Sequence, residues 1–288
     1  MQSELNLINE LPFEIMISFT VIISLHKSDR ADWFYQAASS VLEQTCPPTY
    51  MLVTIDGDLL PDQESKLLEL KENYKTIVIS EVRSKAVNSR GVLLGKAVKK
   101  CETQLVAIMD ADDMALKDRF EKQLRAFAEN PELDVLGGWV EEISPYDDQH
   151  SMIRTVPTKQ VEILSFAKYR NPINNMTVMF KRDSVLAAGN FEGMQNFADY
   201  WLWVRMLNSG AVFGNISEVL VRARAAEDMI GRRSGVKYAI SEIRFYLHGT
   251  KIGFLSTTNA IIAILTRVPL RLLPQQTLFA VFKKFLRQ

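Results

Sequence analysis

The chain has 288 residues, 47% apolar and 24% charged, with Lys+Arg and Asp+Glu balanced at 34 each. That length can bury a sizeable core, and the balance removes any whole-chain pull toward nucleic acid. Two cysteines, Cys46 and Cys101, match no metal-site spacing and imply no disulfide framework, which fits a reducing compartment.

Residues 1–14 are mixed polar and acidic, without the basic start and apolar centre of a signal peptide. Residues 19–25 (FTVIISL) form a short β-branched apolar run and predict a buried strand. Residues 32–44 carry apolar side chains at helical spacing. Residues 50–55 predict a second strand, which Asp56-Gly57-Asp58 turns. Pro61 opens a helix to about Tyr74, a third strand covers 76–82, a helix 89–101, a fourth strand 105–109 and a helix about 117–129. Strand–helix alternation predicts an α/β fold, a mostly parallel sheet flanked by helices, with its crevice at the carboxyl ends of the strands.

The pattern then loosens. Strands are expected at 135–140 and 176–180 and a helix at 200–208, with segments such as Arg170-Asn171-Pro172 between them. Residues 251–288 hold six basic residues (Lys251, Arg267, Arg271, Lys283, Lys284 and Arg287) and no acid. Such a tail fits either an interfacial amphipathic element or a helix packed on the core with a solvated basic face. Pro269 and Pro274 are expected to split it into short helices. No apolar run reaches the roughly 18 residues of a spanning helix. A division is expected between residues 1–215, the α/β domain that carries the crevice, and 216–288, a lid and helical extension.

The sharpest chemical feature is Asp110-Ala111-Asp112-Asp113, directly after the fourth strand. Three carboxylates in four residues repel one another unless a cation or protons intervene, and Mg²⁺ characteristically takes one or two carboxylates plus substrate phosphates. A helix cap would need one Asp, not three. Asp56 ends the second strand in the same crevice, either as an Asp-Gly turn or as an acceptor for a base N–H. Ser24 and His26 close the first strand, and Arg90 opens the helix before the fourth. Asp199 opens an aromatic-rich helix as a general base or an N-cap. Beside it Tyr200, Trp201 and Trp203 read either as a sugar-stacking wall or as core. Arg222, Arg224, Arg232 and Arg233 could bind phosphates or form a solvated loop.

These pieces resemble the inverting family 2 glycosyltransferases of GT-A fold, in the family's order. The matching segments are VIISLH and AASSVLEQT within residues 21–45, LVTIDG at 52–57, MDADD at 109–113 and DRFEKQ at 118–123. NPELDVLG at 130–137, NPINNMTVMF at 171–180, AAG at 187–189 and ADYWLWVRML at 198–207 complete them. The detail is most similar to transferases of bacterial O-antigen and capsule assembly.

The resemblance implies that a UDP-sugar donor, UDP-galactose for instance, gives its sugar to a glycan acceptor on a lipid diphosphate. Ser24, His26, Asp56, Arg90, Asp110 and Asp113 would bind the nucleotide sugar, and Asp110 and Asp112 a Mn²⁺ or Mg²⁺ ion. Asp199 would be the catalytic base, and Asn174, Asn175, Met176 and Trp203 would lie on the acceptor side. The place of work would be the cytoplasmic face of the cell membrane, with the membrane surface as a partner and nucleic acid excluded.

Departures from the family pattern are Ala198 where Glu is common, Ile108 where Arg is common, Asn175 where His is frequent, and Gly95 in place of an Asn. The alternatives are a nucleotidyltransferase, although residues 24–30 lack its glycine loop, and a non-catalytic subunit of a glycan-assembly complex.

Overall fold

The computed structural model describes residues 18–84, 90–143, 151–224 and 233–273. Its first half follows the alternation: β1 (Phe19–His26), α1 (Ala31–Leu42), β2 (Tyr50–Asp56), α2 (Pro61–Asn73), β3 (Val78–Ser84), α3 (Arg90–Lys100) and β4 (Leu105–Asp110). The four strands are parallel. Side chains alternate across them. Val21, Ile23 and Leu25 pack with α1 on one face, while Ile22, Leu52, Val106 and Ile108 pack with α3 on the other. α1 buries Ala31, Phe34, Ala37, Ala38, Val41 and Leu42, one helical stripe.

The second half adds β5 (Met114–Ala115), α4 (Arg119–Glu129), β6 (Val135–Ile143), β7 (Ser151–Arg154), α5 (Gln160–Phe166), β8 (Met179–Lys181), α6 (Arg182–Ala187), α7 (Ala198–Asn208) and β9 (Phe213–Arg224). The sheet order is β3-β2-β1-β4-β8-β6-β9-β5, with β7 on β6. β8 runs antiparallel between β4 and β6, so the sheet is mixed on this side.

The strand expected at 176–180 is shorter. Residues Asn175–Thr177 make a 3₁₀ turn before β8, because the Thr177 hydroxyl bonds back to Asn174 O at 2.7 Å and its Oγ1 accepts the Gly138 N–H at 3.0 Å. β9 carries no strand signal in FGNISEVLVRAR, yet it pairs along β6, with register shifts around Trp139. It crosses the expected division at 215/216, so the sheet continues to Arg224.

The helical extension is α8 (Val236–Lys251) and α9 (Thr257–Arg271). α8 lays Tyr238, Phe245 and Tyr246 against Phe197, Tyr200, Trp201 and Val204, a separate apolar cluster. Arg267 and Arg271 do not form a solvated basic face. Both donate to the buried Glu242, from Nε at 2.8 Å in each case. α9 continues two residues past Pro269, so that proline does not split it. Pro274 and the remaining tail lie outside the described residues. Cys46 and Cys101 are both buried, and burial pushes the Cys101 thiol up to about 11.

Candidate active site

The register places the carboxyl ends of four strands at one edge. His26 lies opposite Asp56, Ser24 opposite Asp110, and Asp56 opposite Ser84. Gly57 leaves β2 at φ +83°, a conformation glycine adopts without a Cβ penalty, and its N–H bonds to Ser84 O at 2.8 Å. The Asp56 Oδ1 is buried and has no partner among the described residues. A buried acceptor left unpaired costs about 1–3 kcal/mol, so a ligand N–H there would be welcome. Ser24 and His26 face their own neighbours: Thr54 donates to Ser24 Oγ at 3.0 Å, and His26 Nδ1 lies 2.8 Å from Ser28 Oγ. Asp29, not singled out in the sequence, accepts the His26 N–H at 2.8 Å, and burial raises its carboxyl above the ordinary range.

The acidic motif sits at the end of β4. Burial first, then the Asp110 charge, raises the carboxyls of Asp112 and Asp113. Asp113 is buried and spends one oxygen on the Arg224 N–H, at 3.0 Å. The Arg224 guanidinium holds Asp112 O at 2.5 Å and stacks over Trp33, 5.1 Å from the ring centre. β9 therefore pins the acidic loop from the far side. Arg119 lies beneath it, fully buried, with Nη2 on Ile108 O at 3.0 Å, and burial pulls its guanidinium down to about 9.

No three His, Cys, Asp or Glu side chains among the described residues converge as a ready metal cage. The donor set still fits a hard divalent cation that keeps waters and takes phosphate oxygens. Carboxyls raised by burial and by the charge of Asp110 are relieved by positive charge.

Arg90 pairs with Asp110. That charge, ahead of those of Asp199 and Asp112, keeps its guanidinium protonated against burial. Gly91 lets α3 reach the start of α7: a Cβ there would lie 2.6 Å from Ala198 Cβ and press on Glu192 O. This close approach sets Arg90 between the acidic loop and Asp199.

Asp199 is the second residue of α7, and Phe197 is the N-cap, without a side-chain bond. Asp199 is thus not the N-cap residue itself, but its carboxylate accepts the first-turn N–H groups of Tyr200 and Asp199. Burial raises its carboxyl, opposed by the backbone N–H of Tyr200, by Arg90, by its own N–H and by Asn171.

Around it the acceptor-side residues divide. Asn175 keeps a buried Oδ1 without a partner among the described residues, and Met176 Sδ meets Arg154 Nη2 at 3.4 Å. Asn174 is buried and donates to Gly138 O at 2.9 Å, which ties this segment to β6. Trp203 is corrected. It is 0% exposed among Phe180, Phe191 and Phe213, so it is core rather than sugar wall. Tyr200 and Trp201 are buried as well.

The arginine group separates too. Arg222 pairs with Glu141 at 2.7 Å, Arg224 serves the acidic loop, Arg233 is exposed, and Arg232 lies outside the described residues. Sequence reasoning missed Arg154, which bonds Glu142 at 3.0 Å and feels the charges of Arg233, Asp113 and Asp110. An Arg ending a four-residue edge strand carries no signal of its own.

The family model described as Glycosyl transferase family 2 matches residues 20–189, more than half of the chain. The UDP-Gal:alpha-D-GlcNAc-diphosphoundecaprenol beta-1,3-galactosyltransferase of Escherichia coli is 29% identical over 94% of this chain and 97% of its own length. The amylovoran biosynthesis glycosyltransferase AmsE of Erwinia amylovora is 28% identical over 92% and 98%. Among solved structures, the mannosyltransferase PcManGT of Pyrobaculum calidifontis, in complex with GDP-Man and Mn²⁺, superposes with a TM-score of 0.58. It is 14% identical and covers 98% of this chain and 85% of its own. At that identity the likeness shows the fold, which is of GT-A type.

Proposed function

The chain belongs to glycosyl transferase family 2 and is a glycosyltransferase, and on that premise we propose that it transfers a sugar, galactose for example, from a UDP-sugar to a lipid-diphosphate-linked glycan in bacterial surface polysaccharide synthesis. The observation that carries this reading is the facing of two unlike carboxylate sites across Arg90: the acidic loop Asp110–Asp113 and the lone Asp199. The choice of UDP and of the acceptor is supported by the Escherichia coli relative.

Asp56, with its unpaired oxygen, receives the base N–H. Ser24, His26, Arg90, Asp110 and Asp113 border the rest of the donor. Asp112, with Asp110 and Asp113 beside it, would hold a Mn²⁺ or Mg²⁺ ion, which would supply positive charge against the leaving diphosphate. Asp199 takes the proton of the acceptor hydroxyl as that oxygen attacks the anomeric carbon. The C–O bond to the diphosphate breaks, and the centre inverts. General-base help of this kind is worth about 10²–10⁴-fold. Asn175 and Met176 border the acceptor.

The reading is tested by thermal stabilisation with UDP-galactose and other nucleotide sugars, with and without Mn²⁺. A ligand at 100 times its dissociation constant adds about 2.7 kcal/mol of stability. Metal-dependent stabilisation by one UDP-sugar, followed by its transfer to GlcNAc-diphosphate-lipid, is the expected result. Stabilisation by none of them overturns the donor assignment.

We also place the enzyme at the membrane surface. Among the described residues no helix is long and apolar enough to cross a membrane. Ile261, Ile262 and Leu265 of α9 and Leu247 of α8 are exposed, beside exposed Arg244 and Lys251. Glu242, the one acid from 233 to 273, is buried between two arginines, so it opposes no anionic surface. Truncation before Lys251 would strip Glu242 of both partners. The sound variant is Ile261→Ser with Leu265→Ser, expected to stay folded and to stop co-sedimenting with vesicles of acidic lipid. Unchanged sedimentation contradicts this placement.

A further inference from the structure

Resting on the reading of Asp199 as the base, we infer that Asn171 is its positioning residue: the Asn171 side chain fixes the carboxylate's orientation and holds it ready to accept a proton. The Asn171 Nδ2 donates to Asp199 Oδ2 at 2.8 Å, while its Oδ1 accepts the Ile173 N–H at 3.2 Å. These two bonds define which end of the amide is which. A flipped amide would set its oxygen against the carboxylate and lose the Ile173 N–H.

The segment that carries Asn171 is anchored independently of it. Pro172 biases the preceding residue toward extended backbone. Pro172 O accepts from the buried Asn215 Nδ2 at 3.1 Å, Tyr169 O from the Tyr246 hydroxyl at 3.3 Å, and Ala167 O from the Tyr200 hydroxyl at 2.8 Å. Tyr200 follows Asp199 in α7, so the helix that bears the base and the loop that aims it are tied together.

The groups facing Asp199 are few. Arg90 of α3 is the cation, with Asp110 and Asp112 beyond it, and the N–H groups of Asp199 and Tyr200 come from its own helix start. Asn171 is the neutral side-chain donor among them. A donor to the ionised form favours that form, and one to a single oxygen leaves the other for an acceptor hydroxyl.

The test is steady-state kinetics with UDP-galactose and GlcNAc-diphosphate-lipid across pH, for the parent, Asn171→Ala and Asn171→Asp. A base displaced by about 1 Å can lose about 10²-fold, so Asn171→Ala is expected to lower kcat by about 10–100-fold with the donor KM unchanged. The acidic limb of its kcat/KM profile should move up by roughly one pH unit, because the ionised base has lost a donor. Asn171→Asp is isosteric and keeps the Ile173 bond, so it decides the matter should the alanine variant not fold. Its added charge should move the limb further in the same direction. An unmoved acidic limb in the folded variants, with Asp199→Asn inactive, overturns the role of Asn171 and leaves the base standing. Full turnover by Asp199→Asn would instead overturn the base itself.

Discussion

The acidic loop at the end of β4 and the carboxylate at the start of α7 are both desolvated, and the chain treats them in opposite ways. Burial and the charge of Asp110 leave the carboxyls of Asp112 and Asp113 raised, with one oxygen of Asp113 given to a backbone N–H. Asp199 is surrounded by donors: Asn171, two backbone N–H groups and the Arg90 charge. The first arrangement suits a cation and a diphosphate. The second suits a single proton. Chemistry that must neutralise a leaving diphosphate and deprotonate an attacking hydroxyl needs both, held apart.

The sharpest way to break this comparison is Asp199→Asn, expected to cut kcat by about 10²–10⁴-fold and leave donor binding intact. Turnover within a few-fold of the parent would return Asp199 to a structural part.

Glu242 supplies a contrast in stability. Burial pushes its carboxyl up, but the hydrogen bonds and charges of Arg271 and Arg267 outweigh it and hold the group below its ordinary range. A depressed acid contributes stability above its unfolded value, which is lost as pH falls through the native one. At neutral pH Glu242→Gln should therefore destabilise the protein, by roughly 3–5 kcal/mol since it strands buried cations, with a fall in Tm in calorimetry. An unchanged Tm would show that the pair is immaterial.

Asp113 has the opposite sign and a smaller size. A raised acid contributes stability below its ordinary value near 4, which is lost as pH rises through the native one. Metal-free Asp113→Asn should therefore be more stable than the parent at neutral pH, by roughly 0.5–2 kcal/mol, a gain typical of relieving a strained functional site. With Mn²⁺ and UDP present the order should reverse. A metal-free variant less stable than the parent would mean that Asp113 serves chiefly to anchor Arg224.

The same two regions explain what could be read from the sequence. β1, β2 and β4 are apolar runs whose parallel register fixes where Asp56 and Asp110 emerge, so order and spacing sufficed. Asp199 could be named as a candidate, but its surroundings could not. Asn171, Arg154 and β9 come from an irregular, mixed-sheet half, where partners 28 residues apart meet through loops and no periodicity announces them. Trp203 was misplaced for a related reason: an aromatic beside a base reads equally as wall or core, and only the packing of Phe180, Phe191 and Phe213 decides. Charge counting in the basic tail does not reveal that Arg267 and Arg271 face Glu242.

The division of labour between the two carboxylate sites is tested most directly by calorimetric titration of UDP with Mn²⁺ into Asp112→Asn and Asp199→Asn, alongside turnover of each. The account predicts that Asp112→Asn loses Mn²⁺-dependent UDP binding, that Asp199→Asn binds UDP and Mn²⁺ like the parent, and that both fail to transfer sugar. Parent-like binding by Asp112→Asn, or loss of binding in Asp199→Asn with its fold intact, would contradict it.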